Sequence, residues 1–83
     1  MILVIGPTSS PAGQVVCVTV TGATGPLNAS AWINDERVGV SVVEDPAGSW
    51  RVCVSIPKGT VGAVFIRMAD KTTTVHQTVI VSR

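Results

Sequence analysis

Trp50, Val52, Val54 and Ile56 alternate strictly with Arg51, Cys53 and Ser55. Period two puts successive side chains on opposite faces of a pleated strand and cannot line one face of a helix. The same alternation recurs at 14–21, 37–43, 63–69 and 74–81, and no segment holds a helical period beyond one turn. The chain carries sixteen Val, nine Thr and six Ile against two Leu. β-branched side chains lose rotamer freedom on a helix but pack well on a pleated surface. Eight Gly and five Pro are spread along the chain at intervals, as turn punctuation would be. The chain is therefore read as all-β.

Eighty-three residues make a single domain, 1–83, with a small core. Seven strands are expected, at 2–5, 14–21, 29–33, 37–43, 50–56, 63–69 and 74–81. "GPTSSPAG" is read as a loop, and Asn34 and Asp35 suit a tight turn between the third and fourth strands. The spacing of turns is that of a sandwich. Alternation assigns Val16, Val18 and Val20 inward, with Val38, Val40 and Val42, then Trp50, Val52, Val54 and Ile56. Val64, Ile66 and Met68 follow, then Val75, Val79 and Val81. The third strand is open: either Ala29, Ala31 and Ile33 face inward or Trp32 does. The outward sets include Val15 and Cys17, Arg51 and Cys53, Phe65 and Arg67, and His76, Thr78 and Ile80. Phe65 is either a contact residue or a sign that a bulge flips the register.

Only 13% of residues are charged and the net charge is +1. Nucleic-acid binding needs a basic stripe to displace counterions, so that class is set aside. No apolar run approaches the ~18 residues of a membrane span. The start "MILVIGPTSSPAG" lacks a basic region and a long apolar stretch, so the reading places synthesis in a cytosol without secretory export. With 46% hydrophobic residues and mean hydropathy +0.49, part of the surface is expected to be covered by a partner.

The inventory for chemistry is thin. His76 has no Asp or Glu near it in sequence and is read as a surface strand residue. Cys17, Cys53 and His76 fall short of a structural zinc set, and no metal or cofactor site is assigned. Asp35–Glu36 and Glu44–Asp45 lie in turns, where carboxylates ordinarily accept backbone hydrogen bonds rather than bind calcium. "NAS" at Asn28 fits a glycosylation sequon that matters only in a secretory pathway. Trp32 with Asn28, Asn34 and Arg37 forms a sugar platform if Trp32 is exposed; the usual place for such a Trp is the core. No catalytic residues are assigned.

Asp45, Gly48 and Trp50, then Ile56, Pro57 and Gly59, then Ala69 and Asp70 together resemble the small immunoglobulin-like domains of bacterial surface proteins and phage structural proteins. Gly13, Val16, Val18, Val20 and Gly22 fit the strand that precedes these elements in that family. "DKTT" at 70–73 departs from it, since a glycine-containing turn is usual there. The resemblance implies a seven-stranded Ig-like Greek-key β-sandwich and no particular ligand. In such a sandwich the second and fifth strands are antiparallel neighbours, so Cys17 and Cys53 can lie opposite one another as a disulfide or as a thiol pair. Cytosolic synthesis favours two reduced thiols.

The function expected is a non-enzymatic structural or interaction subunit of a phage virion, as capsid decoration or a tail-associated protein assembled in host cytoplasm. Its partner is a protein lattice or ring, or copies of itself. Val15, Cys17, Phe65 and Ile80 are the expected contacts. The alternative is a binding module of a bacterial adhesin, with a glycan as partner.

Overall fold

The computed structural model describes residues 2–44 and 48–82. Asp45, the first residue of the D-x-x-G-x-W element, and half of the Glu44–Asp45 pair therefore lie outside the described residues. Nine strands run β1 Leu3–Ile5, β2 Ser9–Pro11, β3 Val15–Thr21, β4 Asn28–Ile33, β5 Glu36–Val38, β6 Ser41–Glu44, β7 Ser49–Ser55, β8 Gly62–Ala69 and β9 Thr74–Ser82. They form a four-stranded sheet of order β1-β3-β7-β6 and a five-stranded sheet of order β2-β9-β8-β4-β5. The inner faces pack on one another as an immunoglobulin-like sandwich.

The two strands beyond the expected seven come from segments that change sheets. The run read as one strand at 37–43 is two. β5 pairs with β4 in the five-stranded sheet, and β6 pairs with β7 in the other. Val38, Val40 and Val42 all pack half-buried against the core, so alternation persists while the hydrogen-bonding partner changes between Val38 and Ser41. The loop at 6–13 also contains a strand. β2 lies parallel to β9, with Ser9 opposite Ile80 and Pro11 opposite Ser82. Hydrophobic patterning cannot report Ser-Ser-Pro as a strand. Pro11 is tolerated because β2 is an edge, where its missing N–H leaves no ladder bond unmade.

The crossing from β1 to β2 depends on Gly6. A Cβ built there would lie 2.5 Å from Val18 Cγ1 and 3.1 Å from Val18 Cα. The backbone passes directly over the core at that point.

Inward-facing residues follow the alternation closely. Val16, Val18, Val20, Val52, Val54 and Ile56 are buried from one sheet; Ala31, Ile33, Val64, Ile66, Met68, Val79 and Val81 are buried from the other. Ile2 and Leu27 close the layer from outside the strands. Trp50 and Val75 are half-buried against it. Gln77 occupies an inward position of β9 and donates from Nε2 to the Pro7 carbonyl at 3.3 Å, which satisfies its amide at the sheet edge.

The tight turn at Asn34 and Asp35 forms as read. Both residues have positive φ, 52° and 70°, which is the type I′ geometry that joins β4 to β5 with the right twist. Asn34 Nδ2 donates to the Val61 carbonyl at 2.6 Å, tying this turn to the start of β8.

Gly6→Ala is expected to destabilise the fold by about 1–3 kcal/mol, the cost of forcing a methyl into a filled core. A lower urea midpoint at unchanged slope checks it.

Candidate binding surfaces

The fold leaves one face of each sheet unused by the core. On the four-stranded sheet this outer face carries Leu3 and Ile5 from β1, Val15, Cys17, Thr19 and Thr21 from β3, Arg51, Cys53 and Ser55 from β7, and Ser41 and Val43 from β6. Leu3, Ile5, Val15 and Val43 are each more than half exposed. Arg51 is the one charge among these residues.

Cys17 stands directly opposite Cys53 in the β3–β7 register, with Cα atoms 4.0 Å apart, and the two are joined by a disulfide. The preference for free thiols is corrected. The opposed placement on one face is as expected from the resemblance; what differs is the bond between the two sulfurs. The bridge lies within one sheet. It differs from the antibody arrangement, where a bridge spans the two sheets through the core. Here that span is filled by aliphatic side chains such as Val18 and Ile66, both fully buried.

The outer face of the five-stranded sheet has a different character. Trp32 points outward and is half-buried; its neighbours Ala31 and Ile33 are the buried residues of β4. This settles the open phase of that strand against a core Trp. Trp32 pairs with Phe65 across β4–β8 and with Arg37 across β4–β5. The Trp32 and Phe65 rings are 6.0 Å apart, tilted at 50°. His76 stacks on Phe65 at 5.2 Å and 26°. Phe65 is 38% exposed, so its outward phase is real and no bulge flips it.

A shallow open groove of about 690 Å³ runs over Ala63 on this face. It is lined by Trp32, Phe65 and Thr78, which share one rung across β4, β8 and β9, by Arg67 two residues along β8 from Phe65, and by the Asn34–Asp35 turn. Of the earlier sugar-platform set, Trp32 and Asn34 line the groove. Asn28 and Arg37 are exposed outside its lining.

The four expected contact residues therefore divide between faces. Val15 and Cys17 lie on the four-stranded sheet, and Phe65 and Ile80 on the five-stranded one. Each pair is exposed, but no single flat partner touches all four.

No group of three or more His, Cys, Asp or Glu side chains able to hold a metal occurs among the described residues. His76 has Arg67, not a carboxylate, as its cross-strand neighbour. Among the described residues, the carboxylate with the most hydrogen-bond partners is Asp70. Its Oδ2 accepts from Thr24 N–H at 2.8 Å; its Oδ1 accepts from Thr72 N–H at 2.8 Å, Thr73 N–H at 2.7 Å and Thr72 Oγ1 at 3.2 Å. The Thr24 bond first, then those of the β8–β9 turn, lower its pKa from 3.8 to about 2. In "DKTT" the Asp70 side chain therefore organises the β8–β9 turn.

No family model matches the chain, and no curated protein matches it. Solved structures do. The chain is similar to the M1 domain from titin, at 8% identity and TM-score 0.63, covering 99% of this chain and 93% of that one. It is similar to the Dscam1 Ig7 domain, isoform 9, at 11% identity and TM-score 0.54, covering 92% and 88%. It also matches a twitchin kinase fragment from C. elegans, an autoregulated protein kinase with immunoglobulin domains, at 15% identity and TM-score 0.62; 99% of this chain spans 20% of that one. These likenesses show an immunoglobulin-like fold.

Two outcomes follow. Replacing both cysteines (Cys17→Ala with Cys53→Ala) releases a loop of 36 residues. It should cost roughly 3–4 kcal/mol by chain entropy, read from chemical denaturation against the oxidised chain. Asp70→Ala should lower Tm at neutral pH. A depressed folded-state pKa gives stability that is full above the unfolded carboxylate value and is lost as pH falls through about 2. The Tm gap between variant and parent should therefore close between about pH 5 and pH 2, followed by circular dichroism melting.

Proposed function

We propose that this chain is a non-enzymatic structural module that docks through the outer face of its four-stranded sheet onto a larger protein assembly. One observation carries the reading. Leu3, Ile5, Val15 and Val43 expose most of their surface on one sheet face, with Arg51 as the only charge among the described residues of that face. Single exposed apolar residues are ordinary on a protein surface; four on one sheet face that carries almost no charge, with Leu3 and Ile5 side by side on β1, mark an interface. β1 is also an edge strand, so backbone groups are available beside Leu3 and Ile5.

In its finer form the assembly is a virion lattice or ring, with the chain as a capsid-decorating or tail-associated subunit made in host cytoplasm. A small domain gains modest apolar burial from one such face. Repetition over a lattice turns many weak contacts into a stable whole. This form requires the Cys17–Cys53 bridge to close after particles leave the reducing cytoplasm.

Density-gradient sedimentation of material from the native source tests it. Expected is co-migration with large particles at a fixed ratio, lost in an Ile5→Lys variant whose melting is unchanged. Recovery in a wall or membrane fraction, or free at the top of the gradient, overturns it.

A further inference from the structure

The groove on the opposite sheet is not used by this docking reading. We infer that it is a binding site for a neutral oligosaccharide, with pyranose rings lying against Trp32 and Phe65. The inference does not depend on the assembly proposal, because it uses the other face of the sandwich.

The argument begins with the lining. Trp32 and Phe65 present apolar surface beside Ala63, whose small side chain leaves the floor low. On this face of β8 Phe65 stands between Ala63 and Arg67, so an aromatic ring lies between the end that carries the Asn34–Asp35 turn and the end that carries Arg67. Its polar groups complement one another. Asp35 accepts hydrogen bonds, Arg67 donates them, and the Thr78 hydroxyl does both. A purely apolar ligand would strip water from Asp35 and Arg67 without replacing it. A pyranose offers what this surface needs: an apolar C–H face for the rings, and hydroxyls that donate to Asp35 and accept from Arg67.

Charge decides between classes. One cation and one anion border the groove, so no net field selects a polyanion such as nucleic acid. An acidic glycan would meet Asp35 at the turn.

The floor and walls are also held in place. The Asn34–Asp35 turn is anchored to Val61 by the Asn34 side chain, and Phe65 is braced by His76 on one side and Trp32 on the other. A preformed surface spends little ordering entropy on binding.

The test is an NMR titration of the whole chain with cellotriose, maltotriose, mannotriose and chitotriose, and with a hyaluronan tetrasaccharide as the anionic comparison. Expected are saturable shifts of the Trp32 indole N–H and of the Ala63 and Arg67 amides with at least one neutral probe. Trp32→Ala should weaken binding about tenfold or more, by the measure of one lost stacking surface. Should Trp32→Ala fail to fold, Arg67→Met, at an exposed position, should weaken it severalfold with melting unchanged. Val15→Ser, on the other sheet, should leave it unchanged. No shift with any neutral probe, shifts only with the anionic one, or binding that survives both groove variants overturns the inference.

Discussion

The register of β3 against β7 is the constraint on which the four-stranded sheet depends. It sets Val16, Val18 and Val20 opposite Val54, Val52 and Trp50 on the inner face, and the same register sets Cys17 opposite Cys53 on the outer one. A slip of one residue would turn the valines to solvent and separate the cysteines. The hydrophobic effect fixes the register from inside and a covalent bond fixes it from outside. β1 then pairs with β3, and β6 with β7, so both edges are aligned on this central pair.

The core that results is almost wholly aliphatic. In antibody domains a tryptophan packs against the bridge between sheets. Here Ala31, Val18, Ile66 and Met68 fill the middle, and the bridge has moved to the surface of one sheet. Trp50 sits half-buried at the rim, and its Nε1 has no acceptor among the described residues. Ala31 and Ile33 are the buried residues of β4, and strand alternation puts Trp32 on the opposite face. That is the physical reason Trp32 lies outside, where it meets Phe65.

Period-two patterning made the inner faces of β3, β7, β8 and β9 legible, because each of these strands keeps one set of neighbours along its length. It failed where a strand changes partner. At 37–43 the side-chain alternation continues through the crossing, so nothing in the residues announces that β5 and β6 belong to different sheets. At Ser9–Pro11 pairing rests on backbone hydrogen bonds alone, as in Ile80 N–H to the Thr8 carbonyl at 2.8 Å, and these leave no mark in side-chain pattern. The surfaces were legible in part. Alternation named Phe65, Ile80, Val15 and Cys17 as outward, but which face each occupies depends on sheet assignment. The groove escaped notice because Ala63, Asp35, Arg67 and Thr78 come from three segments that only the β4–β8–β9 pairing brings together.

The low charge of the chain acquires a specific meaning from this arrangement. A sandwich needs only one face of each strand for its core, so the outer faces are free to differ. One is apolar and nearly uncharged, stiffened at its centre by Cys17–Cys53. The other sets aromatic rings among balanced donors and acceptors. A uniformly charged surface would have protected solubility at both and specified nothing at either. Here the two faces differ enough to take different partners at the same time, since neither strand set intrudes on the other. Under the two proposals made above, the chain stands between two surfaces, with apolar contact on one side and a polar, ring-shaped ligand on the other.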